Sequence, residues 1–335
     1  METNKILNFV VKITTNCPAN CKCCTNRKKE IKNKSENNKI FDLTVFEKVC
    51  INLKKMGGTY VYLSGGEPTI VSSIDDFFEI ARKNGLAVRM NTNGWGITEK
   101  KFEKWLLLGL EQIVLSVYSL NEETVKYIRG NPLLLTKFLN ATNVIKKFRE
   151  KNNFKFVIQS VIMQNNYKEM PELLEYAIKN KADHFWPSYL EDAINLPEVR
   201  MEGKDIEIFR SEIVPKMKNV IEKYVHDIYQ KEHLKMYFGK YHDSNFDNYI
   251  YNDNIEKVNC HWLGRHLTLY PNGTIYPCPG HEYFSTSGQY KIDYNSVDDF
   301  LTWDTLNKNV NSYSIHCKHC PQPLYEDEMK ISNNP

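Results

Sequence analysis

Short apolar runs alternate with amphipathic stretches along roughly the first 190 residues. Residues 6–13 (ILNFVVKI) read as a buried strand, and 43–55 as a helix with Thr44 in its cap region after Asp42. TYVYLSGG then reads as strand, 73–84 as helix, LAVRMNTNG as strand, 98–108 as helix and QIVLSVYS as strand. A helix at 134–151, strand FKFVIQSVIM, a helix at 168–180 and strand DHFWPSYL complete the series. Six βα-type repeats with short connections predict an α/β fold with a parallel sheet or an incomplete barrel.

After Leu196 the rhythm breaks. Residues 204–232 form one long amphipathic helical stretch, and 237–255 are a Tyr/Asn/Asp-rich connector. HLTLYPNGTIYPC predicts two short strands around a Pro-Asn-Gly turn. The expected division is therefore 1–200, a helical linker at 201–254, and a small α+β domain at 255–335.

The 335 residues carry 44 Lys+Arg against 41 Asp+Glu, a net charge of +3 that gives no reason to expect a nucleic-acid partner. A hydrophobic content of 41% supplies a core and excludes disorder as the dominant state. No apolar run approaches the roughly 18 residues of a membrane span, and the N-terminus lacks a signal-peptide pattern. Eight of nine cysteines cluster near the two ends of the chain, which points to metal ligation in a reducing cytoplasm rather than to a disulfide framework.

Cys17, Cys21 and Cys24 form a Cys-x3-Cys-x2-Cys array just after the first expected strand. Three thiolates on one loop can hold three irons of a [4Fe–4S] cube and leave the fourth open, whereas a structural zinc site takes four ligands. Ser64-Gly65-Gly66-Glu67-Pro68 ends the second strand, where glycines admit a close approach to the backbone and a carboxylate can accept from an ammonium group. With these two motifs one strand apart, the sequence resembles the radical SAM superfamily. The resemblance implies a partial (β/α)6 TIM-like barrel and S-adenosylmethionine (SAM) with its amino group at Gly65, Gly66 and Glu67. It also implies SAM contacts from Asn93 after strand three, Ser116 at strand four, Gln159 on strand five, and Arg129 toward the SAM carboxylate. Neighbouring polar residues Tyr118 and Ser160 lie on the same strand ends. In one departure, Cys23 stands where relatives often carry an aromatic residue against the adenine.

Near the other end, Cys260 and Cys278 flank the expected hairpin, and Cys317-Lys-His-Cys320 follows. Four sulfurs suit zinc or an iron–sulfur centre equally by spacing. The resemblance extends to the Twitch form of the SPASM extension and implies an auxiliary [4Fe–4S] cluster on Cys260, Cys278, Cys317 and Cys320. Cys50 sits in a helical pattern and reads as a packing thiol. His261, Trp262, Arg265 and His266 would cover that cluster or line a substrate cavity between the domains. His281 and Glu282 read as a surface loop or a proton acceptor, His316 and His319 as supporting or solvated positions, and the basic run Arg27–Lys39 as a solvated loop or an attractor of an acidic substrate or leader peptide.

The expected function is a radical SAM oxidoreductase. An electron from a flavodoxin or ferredoxin would drive SAM cleavage to a 5′-deoxyadenosyl radical that abstracts hydrogen from substrate. The leading expectation is two-electron oxidation of a sugar- or cyclitol-like small molecule, with no general base assigned. Its rival is cross-linking or epimerisation of a ribosomally made peptide. With sixteen residues before Cys17, leader recognition would need another surface or protein, and with only Cys23 and Cys50 spare, epimerisation is disfavoured. A zinc-stabilised binding module is the non-enzyme alternative.

Overall fold

The computed structural model describes residues 8–24, 40–190, 196–226, 231, 266–276 and 290–291. Strands β1 (Asn8–Lys12), β2 (Tyr60–Ser64), β3 (Ala87–Thr92), β4 (Leu110–Ser116), β5 (Lys155–Ile162) and β6 (His184–Tyr189) pair in parallel, each beside its successor. Helices α1 (Leu43–Lys55), α2 (Ile74–Lys83), α3 (Glu99–Leu107), α4 (Glu122–Arg129), α5 (Leu133–Arg149) and α6 (Met170–Lys179) occupy the crossovers. This is an α/β fold consistent with the partial TIM-like barrel expected from the repeats. No helix among the described residues is long and apolar enough to cross a membrane.

The period of two along each strand divides its residues between two environments. Phe9, Val11, Val61, Leu63, Val88, Met90, Ile113, Leu115, Phe156 and Ile158 join helix residues such as Phe46, Phe77, Phe102 and Phe138 in the main core. Trp105 anchors it, stacking on Phe78 at 5.7 Å while its indole N–H donates to Asp75 at 2.9 Å. Trp105→Ala would remove both contacts, at about 3–5 kcal/mol. On the opposite face Val10, Tyr60, Tyr62, Val114, Val157 and Trp186 form a separate cluster. Toward the carboxyl ends of the strands that face turns polar: Tyr62 donates to Asn91 Oδ1 at 2.9 Å, and Ser116 stands opposite Gln159 in register.

Three local outcomes differ from expectation. The β4–β5 connection contains an extra helix, α4. Asn121 caps it by accepting from Thr124 N at 3.1 Å, and Gly130 ends it in the left-handed region at φ 68°. The long helical stretch divides into α7 (Lys204–Ile208), a π-helical turn at Phe209–Ile213 and α8 (Val214–Tyr224). Pro215 explains the break, because it has no N–H to donate to the preceding turn. Helix α1 is capped by Asp42, which accepts from Val45 N at 3.0 Å.

The hairpin β7 (His266–Leu269) and β8 (Thr274–Tyr276) forms as expected around Gly273, at φ 83°. Its placement could not be read from spacing. β7 pairs in parallel with β1, Asn8 opposite His266, and β8 and β9 (Tyr290–Lys291) extend the same sheet antiparallel. Cys260, Cys278, Cys317 and Cys320 lie outside the described residues, as do His261, Trp262, Arg265, His281, Glu282, His316, His319 and the run at 27–39.

Candidate active site

The cysteine loop leaves β1 and is fastened at both ends by main-chain hydrogen bonds. Gly66 N donates to Thr14 O and Glu67 N to Asn16 O, each at 2.7 Å. A Cβ at Gly65 would approach Thr14 O, and one at Gly66 would approach Asn16 O, closer than the 3.0 Å that real Cβ atoms respect. Gly65 also has φ 145°, in the region L side chains disfavour. The paired glycines were expected to admit a ligand. What approaches them here is the backbone immediately before Cys17.

The far half of the loop rests on the C-terminus of α4. Asn20 N donates to Arg129 O at 2.8 Å and Lys22 N to Ile128 O at 2.9 Å, so the loop satisfies carbonyls that a helix end leaves open. Asn131 Nδ2 donates to Pro18 O at 3.0 Å. Cys24 N closes the last turn onto Cys21 O at 3.1 Å. Cys17 is exposed, Cys24 partly buried, and Cys21 and Cys23 buried, all as unbridged thiols.

The sulfurs have distinct partners. Cys17 Sγ accepts from Ala19 N at 3.4 Å and from Asn93 Nδ2 at 3.6 Å. Cys21 lies close enough to the Arg129 guanidinium to raise that group's pKa. Cys23 lies beside Tyr118, and burial, then the neighbouring Cys21 and Cys24, push its thiol up.

Glu67 is 1% exposed and holds four donors. Its Oε1 accepts from Thr69 N at 3.1 Å, Thr69 Oγ1 at 2.5 Å and Thr92 Oγ1 at 2.6 Å, and its Oε2 from Asn93 N at 2.6 Å. Burial raises its pKa against the lowering effect of these bonds. Both oxygens are engaged with protein donors, so the carboxylate ties the exits of β2 and β3 together. The ammonium-acceptor role expected of it falls on a group already in use.

Arg129 is 3% exposed. Its Nη1 donates to Ser116 O at 3.0 Å, its guanidinium lies 4.9 Å from the Tyr118 ring centre, and its Nε has no partner among the described residues. Burial opposes its charge, but Cys21 and Tyr118 raise its pKa further and keep it cationic. Ser116 thus meets Arg129 through its carbonyl. Gln159 is half-buried on the face of Val157, whereas Ser160 is buried on the helix-facing side with its hydroxyl unpartnered among the described residues. Sequence reading missed the roles of Thr69 and Thr92. Their signal was a Glu-Pro-Thr start to the 3-10 turn Pro68–Ile70 and the Thr of Asn-Thr-Asn-Gly.

The donor chemistry fits the groups that the motif implies. Four unbridged thiols, three of them in the Cys-x3-Cys-x2-Cys array, share one eight-residue loop, Cys17 to Cys24, beside a buried guanidinium whose Nε–H has no partner among the described residues. Among the described residues no three His, Cys, Asp or Glu side chains are gathered closely enough to hold a single metal ion.

Residues 11–177 match the radical SAM superfamily model. SuiB of Streptococcus suis bound to S-adenosylmethionine is a similar solved structure, with 18% identity and a TM-score of 0.59 over 89% of this chain. The match spans 65% of that SuiB chain. SuiB bound to precursor peptide SuiA gives 18% identity and TM-score 0.61, covering 96% of this chain and 71% of that one. Native anSMEcpe with bound AdoMet and the Cp18Cys peptide gives 16% identity and TM-score 0.60, covering 93% and 85%. At these identities the likeness establishes a shared fold.

Proposed function

Because this chain carries a radical SAM domain and so belongs to that superfamily, we propose that it is a radical SAM enzyme that modifies a peptide. The observation that carries the substrate class is the fold likeness over 96% and 93% of this chain to structures with bound peptides, SuiB with SuiA and anSMEcpe with Cp18Cys. It favours the peptide reading over the sugar or cyclitol oxidation that sequence placed first. The oxidoreductase class stays attached to that earlier reading, and cross-linking or another peptide change takes its place.

In this proposal Cys17, Cys21 and Cys24 hold a [4Fe–4S] cluster. SAM lies by Gly65, Gly66, Glu67, Asn93, Ser116, Arg129 and Gln159. When bound, the two together supply reductive cleavage of SAM to a 5′-deoxyadenosyl radical. The residues supply position and charge. Glu67 fixes the strand exits, Gly65 and Gly66 seat the loop, and the spare Nε–H of Arg129 offers a donor to a carboxylate. Cys260, Cys278, Cys317 and Cys320 would hold an auxiliary [4Fe–4S] cluster in a Twitch domain at 255–335. A flavodoxin or ferredoxin would deliver the electron.

Anaerobic reconstitution tests this. Two cubane clusters predict about eight irons per chain, by four irons per cluster. SAM cleavage with dithionite should follow, and 5′-deoxyadenosine should acquire deuterium from a deuterated peptide. Transfer from deuterated cyclitols but not peptides would restore the sugar reading, and zinc without SAM turnover would leave only a binding module.

A further inference from the structure

We propose that Asn93 is a positioning residue for Cys17, whose carboxamide donates to the cysteine sulfur and sets the reduction potential of the cluster held there. The inference rests on the assignment of Cys17 as a cluster ligand.

The geometry fixes the amide from three sides. Asn93 N is clamped by Glu67 Oε2 at 2.6 Å. Its Oδ1 accepts from Trp95 N at 3.0 Å, and because an acceptor must face that N–H, the other end of the carboxamide is Nδ2. Nδ2 stands 3.6 Å from Cys17 Sγ, within reach of an N–H···S bond. The turn beneath cannot shift freely: Gly94 N donates to Thr92 Oγ1 at 2.9 Å, and a Cβ on Gly94 would strike Ala141 at 2.9 Å. The side chain is only 5% exposed, so this donor is in place before any ligand arrives.

The consequence is electrostatic. Reduction adds one electron from an external reductant, and the extra negative charge spreads onto the ligand sulfurs. A hydrogen bond to a sulfur favours the more negative, reduced state and raises the potential. Cys21 already faces the Arg129 cation, whereas Cys17 is the exposed thiol, and the Asn93 amide is the side-chain donor the structure gives it.

The test is a dithionite titration of the reconstituted full chain, followed by electron paramagnetic resonance. Asn93→Ser keeps an oxygen that can accept from Trp95 N but cannot reach the sulfur, and Asn93→Asp keeps the same acceptor and replaces the donor. Each should retain the iron content and thermal midpoint of the parent while the potential falls. The expected fall is about tenfold in the reduction equilibrium, or 59 mV for one electron. Asn91→Ser, which loses only the Tyr62 contact, should leave the potential in place. An unchanged potential in iron-replete Asn93→Ser overturns the proposal. Loss of iron from Asn93→Ser and Asn93→Asp alike also overturns it, since the residue would then govern assembly. A parent chain that binds no iron removes the ligand assignment itself.

Discussion

Glu67 accepts the main-chain N–H of Asn93 at 2.6 Å, across 26 residues of chain and from the exit of one strand to the exit of the next. The carboxylate bridging β2 to β3 holds two functional segments in one frame: the glycines beneath the cysteine loop and the amide beside Cys17.

Glu67→Gln replaces one accepting oxygen by an NH2 group, so one of the four donors faces another donor. The expected loss is about 1–3 kcal/mol, the cost of an unmet buried polar group. Urea unfolding measures it. The pH dependence carries a sign. Burial raises the folded-state pKa of Glu67, so its contribution is fully present below the usual glutamate range and is lost as pH rises through the raised value. Parent stability should therefore decline across that window more than that of the Gln variant. Parallel curves would show that the group does not titrate in the fold.

Gly66→Ala places a Cβ against Asn16 O, and Gly65→Ala combines a clash at Thr14 O with φ 145°. Each should cost about 1–3 kcal/mol and displace the loop, with a loss of reconstituted iron. Gly109→Ala is the control. It has φ 95° but nothing within 4 Å, so it should pay only about 1–2 kcal/mol of backbone strain and keep its iron. Iron-replete Gly66→Ala would argue against the loop-seating role.

Arg129→Lys retains the charge but loses the planar array that reaches Ser116 O and leaves Nε–H free. SAM affinity, measured by equilibrium dialysis on the reconstituted protein, should fall roughly tenfold, about 1.4 kcal/mol. An unaltered affinity would remove Arg129 from the SAM contacts.

Cys23→Ala and Cys50→Ala should both keep the parent's iron. The first loses buried packing beside Tyr118 and the second loses packing in α1, each at about 1 kcal/mol. Cys17→Ala, Cys21→Ala or Cys24→Ala should each abolish SAM cleavage. If Cys23→Ala lost iron while Cys24→Ala did not, the third ligand would move to Cys23.

Much of the barrel was legible from local pattern. Strand alternation and helix periodicity lie within a few residues, and the helix expected at 43–55 forms at Leu43–Lys55. Helix α4 was missed although its signals are present, Asn121 before Glu122 and Glu123, then Gly130. An eight-residue helix directly beside the longer α5 hides within one helical pattern. The π-helical turn before Pro215 was legible in the same sense, since a proline inside a helical run must disturb the turn before it.

The sequence by itself determined the order of strands and helices, the Cys-x3-Cys-x2-Cys array and the glycine pair, because each is a property of neighbouring residues. Only the tertiary structure decided what those residues meet. It set Gly66 against Asn16, gave Glu67 to Thr92 and Asn93, brought Asn93 to Cys17 across 76 residues, and added β7 to β1 from the far end of the chain. The physical reason is that these partners are selected by strand register and close packing. Both are properties of the assembled sheet, and no local window of sequence contains them.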